Sequence, residues 1–197
     1  MRPRSTPCPQ DGPIRRAVQR LLGRPTDAPC ALVTRETMTK QLRRDGWLSA
    51  GDTSGVDDFY GIHTDDGRIL VRDTAPWSVL HERIHDGGIV DDRLGRWLVE
   101  ALTECVAEHL HETDGLPWAP TYEHYRELLE REILPRLGLS GVELAQVVVR
   151  SRRPDKYVAR GLHADPVLGR AGFRRIWNAI RRGPGDEPDA LQGLLRL

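Results

Sequence analysis

The chain has 197 residues, of which 39% are hydrophobic and 29% charged, and 29 basic side chains balance 29 acidic ones. This composition is typical of a folded protein of about one domain and excludes a disordered chain, while zero net charge favours no particular charged partner. No apolar run approaches the roughly 20 residues that a membrane helix needs, and no apolar stretch follows the N-terminal arginines. We therefore expect a cytoplasmic protein that does not engage a membrane.

The cysteine content also favours a cytoplasmic protein. The three cysteines, Cys8, Cys30 and Cys105, are odd in number and widely spaced. This pattern favours neither a disulfide framework nor a zinc knuckle. A reducing compartment is the simplest interpretation, with Cys105 as a small buried thiol.

The first third of the chain predicts a small sheet with short helices. Four prolines within 1–13 indicate a flexible arm. Thr37 could cap a short helix that runs through Leu42. The Asp-Gly pair in Thr64-Asp65-Asp66-Gly67 favours a tight hairpin turn. The resulting elements are a helix over 14–22, a strand over 31–35 and hairpin strands over 58–63 and 68–72.

The rest of the chain is dominated by helical periodicity. Pro76 suits the first turn of a helix over 77–86, which Gly87-Gly88 ends. The later helices are expected from 92 to Gly115, then over 121–137, 141–150 and 166–182. We therefore predict an α+β fold with one domain over 14–182 and a tail over 183–197.

Inside the helix over 77–86 lies the sequence His81-Glu82-Arg83-Ile84-His85, an HExxH match. Residues four apart share a helix face, so both imidazoles can reach one metal ion. Glu82 lies one step around the helix, where it could take a proton from a metal-bound water. A solvated helix face that carries these residues by chance is the alternative interpretation.

A carboxylate follows at a suggestive distance. Eighteen residues separate His85 from Glu104, which lies on the apolar side of the next predicted helix. Burial of a carboxylate is costly unless it is paired or binds a metal. We therefore predict zinc bound by His81, His85 and Glu104, with Glu100 and Glu108 as hydrogen-bond acceptors for a ligand histidine. The alternative is that these glutamates form the polar edge of an amphipathic helix.

This HExxHx18E pattern, with Leu102-Thr103-Glu104-Cys105-Val106-Ala107-Glu108 around the third ligand, resembles the gluzincin metallopeptidases. The resemblance spans about 77–108 and implies a zincin-like fold, zinc as cofactor and Glu82 as general base for hydrolysis of a peptide or protein substrate. It also implies a sheet-edge strand that pairs with the substrate, a role that we assign to Arg68–Arg72. The chain departs from the aminopeptidase branch at Thr103, where that branch has asparagine, and in lacking a Gly-x-Met-x-Asn segment. It is similar in size to small bacterial metallopeptidase domains.

In gluzincins a downstream tyrosine or histidine stabilises the oxyanion, and the resemblance implies such a residue here. One strong hydrogen bond of this kind is worth roughly 10²–10³ in rate. The candidates are Tyr122, Tyr125, Tyr157 and His163, and we favour Tyr157 because it lies in a polar stretch. Helix packing is the simpler interpretation of Tyr122 and Tyr125.

A basic segment supports a function of a different class. Residues 150–182 contain ten basic side chains against only Asp155 and Asp165, with Phe173 and Trp177 nearby. Such a segment could bind nucleic acid or an acidic regulatory partner, and the protein would then be a non-catalytic binding module. The simpler interpretation is a solvated face that balances an acidic remainder.

Overall fold

The structure is a computed structural model that describes residues 6–49, 54–90 and 94–182. It confirms an α+β fold with a small mixed sheet and a mostly helical remainder. The chain divides into two compact units, and the single domain expected over 14–182 stays a prediction. The first comprises Met1–Gly87 and Asp114–Ala119, and the second comprises Gly88–Thr113 and Pro120–Leu197.

The sheet belongs to the first unit and has the strand order β1-β2-β4-β3. Its strands are β1 (Thr6–Pro7), β2 (Cys30–Val33), β3 (Gly61–His63) and β4 (Ile69–Arg72). Strands β2 and β4 pair in parallel, whereas β1–β2 and β3–β4 are antiparallel. The prediction that Arg68–Arg72 lies at a sheet edge is therefore wrong, because β2 covers the side of β4 that the hairpin leaves open. Strands β1 and β3 form the two edges of the described sheet.

Three α-helices complete the first unit: α1 (Asp11–Leu22), α2 (Arg35–Arg44) and α3 (Ser78–Asp86), with a 3-10 helix over Ser54–Asp58. Apolar side chains from α2, the 3-10 helix and the sheet form a core of Val33, Met38, Leu42, Val56, Ile62 and Leu70. Helix α2 begins earlier than predicted, because the Thr34 side chain caps it by accepting a hydrogen bond from the Thr37 amide.

A disulfide joins Cys8 to Cys30 in the first unit, with their Cα atoms 5.8 Å apart. The expectation that these cysteines form no disulfide is wrong, and the argument for a reducing compartment loses its basis. Antiparallel pairing of β1 with β2 brings the two residues together. Residues 6–13 also depart from the predicted flexible arm, since they form β1, contribute Cys8 and begin α1.

The described part of the second unit is helical. Its helices are α4 (Arg96–Asp114), α5 (Glu123–Glu132), α6 (Leu134–Leu137), α7 (Gly141–Arg150), α8 (Pro154–Ala164) and α9 (Gly169–Arg182). Helix α8 was not predicted, and the helix expected over 121–137 is divided at Ile133, just before Pro135. The predicted tail over 183–197 and residues 1–5 of the predicted arm lie outside the described residues.

Across residues 6–49, 54–90 and 94–182, no helix combines the length and the apolar character that crossing a bilayer demands.

Candidate functional site

The HExxH sequence lies on α3, as predicted, with both histidines half-buried. The Nε2 atoms of His81 and His85 are 3.0 Å apart. Their ring centroids are separated by 4.8 Å, with the rings nearly perpendicular. One helical turn thus directs both imidazole nitrogens to a common point, as expected for residues at positions i and i+4.

The third residue of the motif, Arg83, anchors α3 from within. Its side chain is fully buried. Its Nε and Nη2 donate to the two carboxylate oxygens of Asp11 at 2.7 and 2.9 Å. Its Nη1 donates to Asp86 at 3.0 Å and to the Ala28 carbonyl at 2.6 Å. Because a guanidinium presents donors in a rigid planar fork, these contacts fix the rotation of α3 in the first unit.

Glu82 faces the sheet rather than open solvent, with 8% of its surface exposed. A Cβ at Gly61 would lie 2.5 Å from Glu82 Cγ and 2.6 Å from its Oε1. The Glu82 side chain therefore occupies the space that a side chain at position 61 would need. Two residues after Gly61 in β3, His63 is hydrogen-bonded through Nε2 to the backbone carbonyl of Glu82 at 3.1 Å. Strand β3 therefore holds both the backbone and the side chain of the predicted general base.

Helix α4 of the second unit carries two buried carboxylates. Glu104 is fully buried, and the backbone amide of Thr121 donates to its Oε2 at 3.4 Å. Glu100 lies one turn earlier, with 9% of its surface exposed and Arg96 Nε at 3.6 Å. The polar-edge interpretation is therefore wrong for this pair, because both residues face inward.

Glu108 follows one turn later and belongs to an ion cluster of the second unit. Its Oε2 lies 2.8 Å from Arg126 Nη1, and Arg126 also contacts Glu130 at 3.1 Å. Burial raises the pKa of Glu108, and the neighbouring Arg126 opposes that rise. These contacts give Glu108 a structural partner in addition to the predicted role beside a histidine.

Three described side chains carry donor atoms that suit a metal ion: the imidazoles of His81 and His85 on α3 and the carboxylate of Glu100 on α4. The two histidines are those that the motif predicted as ligands. The sequence predicted Glu100 only as a hydrogen-bond acceptor. The feature that could have indicated it as a metal ligand is its position four residues before Glu104, on the same helix face. Imidazole nitrogen and carboxylate oxygen are donors that suit several divalent metals, so the group alone does not identify one.

The oxyanion candidates lie in the second unit. Tyr122 and Tyr125 stack with ring centroids 5.7 Å apart, and His163 packs edge-on against Phe173. Tyr157 lies on α8 with 42% of its surface exposed, and it lines a cleft with several basic side chains. Its role as the oxyanion donor stays a prediction.

No family model matches this chain, and neither the curated proteins nor the solved structures contain a match.

Proposed function

We propose that this protein is a metal-dependent hydrolase that cleaves peptide bonds, with zinc as the metal. The observation that carries the proposal is the convergence of His81 and His85 Nε2 atoms, 3.0 Å apart, within a motif that also supplies Glu82. Two nitrogens bound to one tetrahedral zinc ion with bonds of 2.0–2.1 Å lie about 3.3 Å apart. The observed separation is close to that value, so the pair fits a shared ion.

The third ligand in this proposal is a carboxylate of α4. The HExxHx18E spacing favours Glu104, while Glu100 carries the same donor type one turn earlier on α4. Both carboxylates are buried, where an ionised group is stabilised by a cation or by hydrogen bonds. A ligand set of two histidines and one glutamate leaves a coordination position for water or substrate.

Glu82 acts as the general base in this mechanism. A bound zinc ion would lower the pKa of its water and polarise the substrate carbonyl. Glu82 takes the proton from the attacking water and passes it to the leaving amine. Gly61 and His63 keep its carboxyl group and backbone in place, so the base is held in position before substrate arrives. In this scheme Tyr157 donates a hydrogen bond to the oxyanion.

Metal analysis combined with proteolysis tests the proposal. The full chain is purified, its metal content is measured by mass spectrometry, and hydrolysis of an unfolded casein substrate is followed with and without a chelator. We expect about one zinc ion per chain and chelator-sensitive cleavage. Glu82→Gln should retain the metal and lower kcat by about 10²–10⁴-fold, because it removes the base but no ligand.

Ligand identity is resolved by three matched changes on α4. Glu104→Gln and Glu100→Gln are compared with Glu108→Gln, whose carboxylate already contacts Arg126. Loss of zinc in one of the first two variants, with retention in Glu108→Gln, identifies the third ligand. The proposal is contradicted if His81→Ala and His85→Ala bind as much metal as the unaltered chain, or if Glu82→Gln cleaves casein at the full rate.

A further inference from the structure

A cleft in the second unit carries a different chemistry from that of α3. It is an open cleft with a volume of about 660 Å³, and its lining includes Leu137, Ser151, Arg153, Lys156, Tyr157 and Arg160. Lys156, Tyr157 and Arg160 lie on α8, where Arg160 follows the other two by four and three residues on the same helix face, and Arg153 immediately precedes the helix. The volume lies within the range of roughly 300–1,000 Å³ that is typical of small-molecule sites.

The charge in this cleft is only partly neutralised by the protein. Arg153 donates from Nε and Nη2 to the carboxylate of Asp155 at 3.2 and 3.1 Å, so one positive charge has an acidic partner. Lys156 and Arg160 are exposed, and within residues 6–49, 54–90 and 94–182 neither side chain has an ion pair. The cleft therefore presents two positive charges that an anionic ligand could meet.

The walls of the cleft are not uniformly polar. The side chain of Leu137 from α6 reaches α8 at Gly161, where a Cβ would lie 2.5 Å from Leu137 Cδ2. The Tyr157 ring adds an aromatic surface to the same cleft. A ligand that fills the site should thus combine a doubly charged anionic group with an apolar or aromatic part.

We propose that this cleft binds a phosphorylated small molecule about the size of a nucleoside monophosphate. A phosphate monoester carries about −1.5 to −2 charges at neutral pH, which matches Lys156 and Arg160. Arginine and lysine both form charge-assisted hydrogen bonds to phosphate oxygens. Tyr157 and Leu137 contact the uncharged part of the ligand. None of the metal-ligand candidates lines the cleft, but Tyr157, the proposed oxyanion donor, does. The two proposals thus assign different roles to this side chain, and the cleft is tested by ligand binding rather than by hydrolysis.

Nucleic acid is the competing ligand, because α7 to α9 carry further exposed arginines. These include Arg150, Arg152, Arg170, Arg174 and Arg181. A polynucleotide would use many of these side chains at once and would bind with a strong dependence on salt. The limited volume of the cleft and the two charges on one helix face favour the smaller ligand.

Calorimetric titration of the full chain tests the proposal. The probes are adenosine 5′-monophosphate, adenosine, inorganic phosphate and a single-stranded 20-nucleotide DNA, at about 0.15 M salt. We expect adenosine 5′-monophosphate to bind, and adenosine and phosphate to bind at least tenfold more weakly. Lys156→Gln and Arg160→Gln should each weaken its binding by about tenfold or more, because each removes one charge-assisted contact.

Arg174→Gln is the matched control, since it removes an exposed arginine of the same unit that does not line the cleft. It should change the affinity less than twofold. Leu137→Trp should abolish binding without changing the charge, because the larger side chain fills the cleft. The proposal is overturned if adenosine 5′-monophosphate fails to bind, or if Arg174→Gln weakens binding as much as Lys156→Gln. The proposal is also overturned, in favour of a nucleic-acid surface, if the DNA binds more tightly than adenosine 5′-monophosphate and Arg174→Gln weakens that DNA binding.

Discussion

Helix α3 in the first unit and α8 in the second carry their polar side chains in opposite ways. On α3, Arg83 is fully buried and is held by two carboxylates and two backbone carbonyls. On α8, Arg160 is exposed and lines an open cleft. The same residue type therefore serves the fold at one position and is available to a ligand at the other, and burial decides which.

Two glycines, one beside α3 and one within α8, show a similar contrast between the two helices. Gly61 in β3 and Gly161 in α8 both leave space that a Cβ would fill, each at 2.5 Å from the nearest atom. At Gly61 that space is occupied by the Glu82 carboxyl group, and at Gly161 by the terminal methyl group of Leu137. Adding a Cβ should therefore destabilise the two sites by different amounts, although the distances are equal. A leucine methyl group can rotate away more easily than a buried carboxyl group.

Removal of the buried guanidinium should produce the largest effect. Arg83→Met leaves Asp11 and Asp86 without their partner and should lower the free energy of unfolding by about 3–5 kcal/mol. Arg160→Met on α8 should change it by less than about 0.5 kcal/mol. Urea denaturation followed by circular dichroism measures both. Equal losses in the two variants would contradict the contrast between α3 and α8.

The disulfide should contribute the next largest effect, and only the first unit contains one among the described residues. Cys8 and Cys30 are 22 residues apart, and closing such a loop stabilises a protein by about 3 kcal/mol. A reductant should therefore lower the urea midpoint of the unaltered chain. The same reductant should leave a Cys8→Ser/Cys30→Ser double variant unchanged. Hydrogen exchange after reduction should increase in β1 and β2 before it increases in α7.

The paired glycines define a third test. Gly61→Ala should destabilise the chain by about 1–3 kcal/mol, because its Cβ displaces the Glu82 side chain. Under the proposed function it should also lower kcat while the metal content stays constant. Gly161→Ala should be within about 0.5 kcal/mol of the unaltered chain, since the helix propensity of alanine offsets the shift of Leu137. A neutral Gly61→Ala would show that Glu82 is not confined by β3.

Periodicity and turn chemistry predicted much of the local structure, because these signals depend on neighbouring residues. The helix that carries His81 and His85 and the hairpin around Gly67 follow from such patterns. The pairing of β2 with β4 and the Cys8–Cys30 bond depend on residues distant in sequence, and spacing alone does not specify them. Helix α8 was missed because Pro154 follows a run of arginines that indicates a solvated segment as readily as a helix start.

The choice between two candidates for the proposed third metal ligand shows the same limit within one helix. Glu100 and Glu104 are four residues apart, so they lie on the same face of α4 and the periodic pattern treats them alike. Only the spacing in the gluzincin resemblance separated them, and it favoured Glu104. The measured zinc content of Glu100→Gln and Glu104→Gln is therefore more informative than any further reading of the pattern.

Cys105 provides the most local test, since it concerns a single thiol on α4. Burial raises the pKa of Cys105 to about 12, with Glu130 adding to the effect and Arg126 opposing it. The thiolate fraction at pH 8 should then be about 10³-fold lower than in the unfolded chain. Iodoacetamide should consequently modify Cys105 at least that much more slowly before denaturation than after it.

The pH dependence of Cys105 has a defined sign. Its folded pKa of about 12 lies above the ordinary value of 9.0, so the neutral thiol is the form that the fold favours. Its contribution to stability is fully present below pH 9 and is lost as the pH rises from about 9 to 12. Cys105→Ala should therefore flatten the decline in stability over that range. An unaltered decline, or native alkylation as fast as that of the unfolded chain, would show that the second unit does not shield this thiol as the first unit shields Arg83.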